Sequence, residues 1–259
     1  MKYKIAILGS GNLATHLALA LETKTELVQL WSRNFQHAEK LNQKLRKSIK
    51  IIDQITDLAS DLDFILVALK DDVLTDFITE IPKNSAIWLH FSGIKSLEIW
   101  PYANTGIIYP LQSFSKNIAV DWSKIPLFLE SKSEKNLKKI ENFAQLLSSQ
   151  IYQITTEQKQ ILHLAAVLAC NFSNFFYGFS EKLLTTHHLS FHVLEPLLQN
   201  TLEKALQHQP FSVQTGPARR QDEQTLTQHR EILKNEPELL EIYNYISEKI
   251  KNHYANENP

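Results

Sequence analysis

The sequence predicts an α/β chain, a doubly wound and mostly parallel sheet followed by an all-helical C-terminal half. Three observations predict it. Short apolar runs alternate with helical patterns as far as residue 154, the pattern of βαβ units. From Thr155 onward every periodic segment has helical spacing. Only six glycines occur, at 9, 11, 93, 106, 178 and 216, so each is expected to meet a specific backbone requirement.

The first stretch, Lys2 to Leu21, reads KYKIAILGSGNLATHLALAL. Its apolar run Ile5–Leu8 stops at Gly9, and Leu13, Ala14, Leu17, Ala18 and Leu21 then recur on one helical side. Strand, glycine turn and helix open a dinucleotide-binding unit of the Rossmann type. Gly9 permits a turn too tight for a side chain, and Gly11 lets backbone N–H groups approach a pyrophosphate. Ala14 fills the third small position of G-x-G-x-x-G/A. Gly9, Ser10, Gly11, Asn12 and Leu13 are therefore the expected cradle. A glycine turn in an ordinary α/β domain is the competing reading.

Glu26–Trp31 is the second strand, and Ser32-Arg33-Asn34 follow it. The tip of this strand meets the adenosine ribose, where an acid selects NAD and an arginine accommodates the NADP 2′-phosphate. No acid stands there, so Ser32 and Arg33 point to NADP(H). Phe35, Ala38, Leu41 and Leu45 give a helix, and Ile49–Ile52 a weak third strand. Asp63–Leu69 is a buried strand whose end, Ala68 and Leu69, joins the cofactor surface. Asp71 or Asp72 is expected to cap the next helix, which Pro82 ends. Ala86–His90 is the fifth strand; Gly106–Tyr109, Leu127–Leu129 and Ile151–Ile154 follow, with a helix opened by Ser133 between the last two.

Thr155-Thr156-Glu157-Gln158 is a capping-box start. Its helical pattern runs on to Thr185 and is expected to be a buried helix, since His163, Asn171, Ser173 and Asn174 would make a membrane span costly. Further helices are expected from Ser190, from Asp222 to Lys234 and from Pro237. The expected domains are 1–154, a Rossmann domain, and 155–259, a helical one.

Composition narrows the class. Apolar residues are 43% and charged residues 21%, and the formal net charge of −1 provides no field for nucleic acid or an anionic membrane. A single cysteine, Cys170, excludes an internal disulfide framework. No metal-ligand spacing and no nucleophile elbow occur, so no metal is expected. The N-terminus enters a strand without a signal-peptide pattern, and a cytoplasmic location is expected.

Three further stretches carry candidate chemistry. His90-Phe91-Ser92-Gly93 ends the fifth strand, at the sheet edge where ligands bind. Ser92 is expected near the cofactor, and His90 either donates to a substrate carbonyl or bonds the next loop. Gln112 and Ser113, after the next strand, reach toward the same crevice. On the long helix, steps of about 100° put His163, Val167, Cys170 and Asn174 on one stripe, with Asn171 about 80° away. His163 is either a candidate proton donor or a satisfied core histidine, and Asn171 a candidate substrate-orienting group. Thr215-Gly216-Pro217-Ala218-Arg219-Arg220-Gln221-Asp222 supplies arginines suited to a carboxylate or phosphate.

These stretches resemble one group. GSGNLA, HFSG, YPLQSF, HLAAVLACNFSNFFY and TGPARRQD occur in the order found in Rossmann-like proteins joined to a helical domain of unknown function, family 2520. Tyr109 stands where that group usually has His, and Gln221 where it usually has Gly. The group is similar to pyrroline-5-carboxylate reductase and the β-hydroxyacid dehydrogenases, and is often labelled an NADP or deazaflavin-coenzyme oxidoreductase. The resemblance implies a homodimer through the helical domain, with Thr215, Arg219 and Arg220 bordering a small-molecule substrate. The β-hydroxyacid dehydrogenases carry Lys-x-x-x-Asn on this helix; here Lys159 has His163 four residues on. The expectation is an NADP(H)-dependent oxidoreductase acting on a small anionic carbonyl, hydroxyl or imine substrate; a non-catalytic NADP(H)-binding regulatory or scaffold protein is the alternative.

Overall fold

The computed structural model describes residues 2–255. Its chain divides into two compact units, Met1–Ala169 and Cys170–Pro259. That division falls within the helical stretch that begins after Thr155.

The first unit runs β1 (Lys4–Leu8), α1 (Asn12–Leu21), β2 (Glu26–Trp31), α2 (Phe35–Asn42), β3 (Lys50–Ile52), β4 (Phe64–Val67), α3 (Asp71–Thr79), β5 (Ile87–His90), β6 (Thr105–Pro110), β7 (Leu127–Glu130), α4 (Glu134–Ala144), β8 (Ile151–Gln153) and α5 (Thr156–Ala166). The eight strands form one sheet in the order β3-β2-β1-β4-β5-β6-β7-β8. Every pairing is parallel except β6 with β7. The expected doubly wound, mostly parallel Rossmann-type sheet is what forms. Strand order reverses direction between β1 and β4, the switch point at which such sheets bind ligands.

Side-chain alternation explains why both faces of this sheet are dry. Ile5 and Ile7 join one apolar cluster with Leu17, Phe64, Leu66 and Phe143. Ala6 and Leu8 point the other way, into a cluster with Ile65, Val67, Phe77 and Trp88. Strands covered on both faces need apolar residues at every position, which is why IAIL, FILV and IWL are unbroken runs. Burying a side chain of this size stabilises the fold by about 1.5–3 kcal/mol.

Local chemistry sets the helix starts. Thr155 and Gln158 form the expected capping box at α5, and Ser133 accepts from the Asn136 N–H at α4. Asn34 caps α2 by accepting from His37. The expected cap of α3 is corrected: Lys70 holds the cap position, without a side-chain bond. Asp71 and Asp72 lie inside the first turn, where carboxylates meet the positive end of the helix dipole.

The second unit holds α6 (Ser173–Thr186), α7 (Glu195–Gln207), α8 (Glu223–Ile232) and α9 (Pro237–His253). Ser190 caps a short 3-10 turn, Phe191–Leu194, that leads into α7. A π-helical turn, Val167–Phe172, separates α5 from α6. It interrupts the regular 100° step, so the stripe expected to join His163 to Asn174 does not carry through it. The helical stretch Thr156–Thr186 is long and apolar enough to cross a membrane by length and composition. The expectation of a buried helix is corrected: its most apolar window has none of its residues buried in the single chain. Neither α6 nor α7 contains a buried residue.

Candidate functional site

Register across the first unit aligns the carboxyl ends of four strands. Trp31 pairs with Leu8, Leu8 with Val67, Val67 with His90, and His90 with Ile107. The residues immediately beyond that row therefore share one edge of the sheet.

At β1 that residue is Gly9, with φ of +127°, a conformation side chains rarely adopt. A Cβ there would lie 2.3 Å from the Ala68 carbonyl oxygen, so the turn packs directly on the end of β4. The Gly9 N–H donates to the Trp31 carbonyl at 2.7 Å, and the Ser10 and Ser32 hydroxyls are 2.7 Å apart. These contacts hold the tips of β1 and β2 together. Gly11 is the cap residue of α1 with no side-chain cap, and a Cβ on it would meet no protein atom within 4 Å. Gly9, Ser10, Gly11, Asn12 and Leu13, with Ser32, Arg33, Ala68 and Leu69, thus lie at one edge of the sheet, where a helix N-terminus and bare glycine backbone are the kind of surface an anion takes. Arg33 is exposed at the β2 tip. Asn12 turns aside: its amide donates to the Phe114 carbonyl at 2.8 Å, tying the loop after β6 to α1.

The loop after β5 is held from three sides. Ser92 accepts at its hydroxyl from the Ile94 and Lys95 N–H groups. Lys159, on α5 and fully buried, donates its ammonium to the Ser92 carbonyl at 3.0 Å and to that of Lys95. Gln160 donates to the Ile94 carbonyl at 2.8 Å. Burial pulls the Lys159 pKa down to about 8, the Glu130 and Asp71 carboxylates offsetting part of it.

His90 is at 0% exposure and accepts the Ser92 N–H on Nδ1 at 3.2 Å, the second of the two roles open to it. Burial, and then the Lys159 charge, push its pKa down to about 3, so the ring is neutral.

His163, one turn after Lys159 on α5, reaches the same loop. A Cβ on Gly93 would lie 2.6 Å from His163 Nδ1, so the imidazole packs on the bare Gly93 backbone. The Tyr109 hydroxyl, from β6, is 3.1 Å from that Nδ1. Tyr109 is nearly buried, which raises its phenol pKa and keeps it protonated. Gln112 is exposed, and its amide oxygen accepts the following Ser113 N–H at 2.8 Å.

The remaining expected residues lie in the second unit. Asn171 is exposed in the π turn. The segment from Thr215 folds as a turn in which Gly216 and Gln221 both take positive φ, +108° and +55°. Asp222 ends it by capping α8, accepting from the Thr225 N–H and hydroxyl, which hold its carboxyl below its usual range. The Arg219 guanidinium lies 4.0 Å from the centre of the Tyr254 ring. Arg220 and Thr215 are exposed.

Two residues outside the expected site set stand at its centre, Lys159 and Tyr109. A lysine one turn before a candidate histidine on an apolar helix was the available signal for the first. For Tyr109 the signal was its departure from the resembled group, which usually has His there. Among the described residues no cluster of His, Cys, Asp or Glu could hold a metal.

Residues 4–87 match the family model described as NADP oxidoreductase coenzyme F420-dependent, and residues 125–250 match Domain of unknown function (DUF2520). No curated protein matches the chain. Among solved structures the chain is similar to BF3122 from Bacteroides fragilis, a protein assigned as an NADP oxidoreductase, at 32% identity and a TM-score of 0.86 over 97% of this chain and 98% of that one. It shares its fold with TM1727 from Thermotoga maritima, at 22% identity and a TM-score of 0.68 over 98% and 99% of the two chains. It also shares it with a reductive aminase from Aspergillus terreus in complex with NADPH and ethyl-5-oxohexanoate, at 13% identity and a TM-score of 0.71 over 100% and 95%. The expected cofactor class, NADP(H), is that of the matched oxidoreductase model. The chain belongs to the family of NADP oxidoreductase-type Rossmann proteins that carry a C-terminal DUF2520 domain.

Proposed function

We propose that the protein is an NADP(H)-dependent oxidoreductase acting on a small carbonyl, hydroxyl or imine substrate that carries an anionic group. One observation carries the reading: the His163 ring, bonded to Tyr109, sits on Gly93 at the same sheet edge as the Gly9 turn. The reductive aminase that shares the fold lends support for carbonyl or imine chemistry.

When bound, NADPH supplies the hydride and its electron pair to the electrophilic carbon. The chain does the rest. Gly9 to Leu13 hold the pyrophosphate, and Ser32 and Arg33 the 2′-phosphate. Nε2 of His163 gives its proton to the oxygen or nitrogen that receives the displaced electron pair, and the ring is recharged from water. Gln112 is assigned to orienting the substrate in the first unit, and Thr215, Arg219 and Arg220, with Asn171, are assigned by the family resemblance to binding its anion and orienting it. His90 and Lys159 hold the loop under the reaction site.

The same reading includes a cytoplasmic homodimer formed through the helical unit. Phe172, Phe175, Leu197, Leu202 and Ile232 are each more than half exposed in the single chain, and large apolar surfaces of this kind mark association sites. Light scattering of the purified protein should give twice the chain mass; a monomer would remove this part of the reading.

The cofactor part is tested by titrating the protein with NADPH and NADH. NADPH should bind at least tenfold more tightly, with the preference lost in Arg33→Ala; equal affinities would overturn the role of Arg33. NADPH oxidation against 2-keto acids and cyclic imines then tests turnover. Activity abolished by His163→Ala supports the enzyme, whereas tight NADPH binding with no turnover on the panel favours a non-catalytic binder.

A further inference from the structure

The imidazole of His163 has two nitrogens, and the structure treats them differently. Its Nδ1 side lies over Gly93, where an added Cβ would come within 2.6 Å of Nδ1 and 2.8 Å of Cγ. The Tyr109 hydroxyl meets the same Nδ1 at 3.1 Å, with the two rings edge to face at 6.0 Å and 72°. Tyr109 is itself held, 7% exposed, in the cluster that contains Trp88 and Ile107, so its hydroxyl has little freedom to move away.

We propose that Tyr109 is a positioning residue for His163: it reserves Nδ1, so that Nε2 is the nitrogen that exchanges a proton with substrate. This deepens the oxidoreductase reading and rests on it for its consequence in turnover. A hydroxyl suits the task because it is both donor and acceptor. In a neutral ring whose proton is on Nε2 the phenol donates to Nδ1; in the neutral ring left after Nε2 has given a proton away, Nδ1–H remains and the phenol oxygen accepts it until Nε2 is reprotonated. With a protonated ring the phenol oxygen accepts from Nδ1–H, and the Nε2 proton is the one free to leave. Tyr109 gives up no proton in either state, since burial raises its pKa. Gly93 follows β5 and Tyr109 lies in β6, so neither belongs to the Gly9–Leu13 turn, and the pair is assigned to proton transfer rather than to the pyrophosphate.

Two measurements on the full-length protein test this, with Tyr109→Phe as the variant. The first is the nitrogen NMR spectrum of the histidine rings, with His163→Gln used to assign the His163 signals. At a pH where the ring is neutral, wild-type Nδ1 should resonate away from the value of a free unprotonated ring nitrogen, and Tyr109→Phe should return it there. The second is kinetic. In Tyr109→Phe kcat should fall on the order of tenfold to a hundredfold, the solvent deuterium isotope effect should rise, and the NADPH dissociation constant should stay within about twofold.

An Nδ1 signal that does not respond to the variant overturns the proposal. So does a variant with wild-type kcat and an unchanged isotope effect. If the Nδ1 signal moves but the wild-type protein reduces nothing on the substrate panel, the ring-fixing by Tyr109 stands and the oxidoreductase reading is what fails.

Discussion

The Lys159 ammonium donates to the Ser92 carbonyl, 67 residues earlier in the chain, at 3.0 Å. One buried charge thereby joins α5 to the loop that ends β5. The arrangement costs free energy at neutral pH, because desolvation holds the folded-state pKa near 8 against 10.5 for an ordinary lysine. Between those values the unfolded chain binds more protons than the folded one, so this group makes stability rise as pH climbs from about 8 toward 10.5. Over the full window the gain is at most about 3 kcal/mol. Chemical denaturation of wild type and Lys159→Met at pH 7.5 and pH 9.5 measures it. The wild type should gain relative to the variant at the higher pH; a parallel response of the two would refute the buried-charge account.

His90 imposes the opposite limit. Its folded-state pKa of about 3 lies below the ordinary 6.5, so stability present above 6.5 is lost as pH falls toward 3. The loss reaches about 3 kcal/mol near pH 4.5. His90→Asn keeps an acceptor near Nδ1 for the Ser92 N–H but cannot titrate. Thermal melts from pH 7 to pH 4.5 should therefore drop less steeply in the variant, and an equal slope would show that other groups govern acid stability.

The parts of this molecule that were legible in the sequence are those that depend on neighbours in the chain. Ile5–Leu8 with Gly9 announced a strand and its turn because a short apolar run and the glycine that stops it are local properties. The Thr155 capping box is written in four consecutive residues. Legibility failed where geometry came from afar. Tyr109 and His163 are 54 residues apart, and their bond depends on how α5 lies against β6. The stripe drawn from His163 to Asn174 assumed one uniform helix, and the π turn at Val167–Phe172 broke that assumption. The long helix was expected to be buried because its apolar run carries polar groups costly in a membrane, and a chain cannot announce whether its own residues supply the cover.

Gln221 is, with His188, one of two non-glycine positions with positive φ among the described residues. It holds φ of +55° in the turn before Asp222, a conformation that favours glycine, and the group this chain resembles usually has Gly there. The turn is kept by the Asp222 N–H bond to the Pro217 carbonyl at 2.9 Å and by the Asp222 cap on α8. Gln221→Gly should raise unfolding stability by about 1 kcal/mol, read from the shift of the urea midpoint at constant slope. A destabilised variant would mean that the Gln221 side chain makes contacts worth more than the backbone strain.

Gly9 and Gly93 separate the two halves of the site by the same substitution. A Cβ on Gly9 would meet the Ala68 carbonyl oxygen at 2.3 Å, a backbone atom that cannot yield without parting β1 from β4. Gly9→Ala should therefore abolish NADPH binding and lower stability by several kcal/mol, on the order expected for a steric clash with strained φ. A Cβ on Gly93 meets the His163 ring instead, and a side chain on α5 can rotate aside. Gly93→Ala should leave the protein folded with NADPH affinity near wild type, yet displace the imidazole from Tyr109. Reduction should then slow on the order of a hundredfold, the cost of misplacing a proton donor by about an ångström. NADPH titration beside single-turnover rates distinguishes the cases. If Gly93→Ala loses cofactor affinity and keeps its rate per bound cofactor, the loop after β5 belongs to the dinucleotide and His163 is not the proton donor.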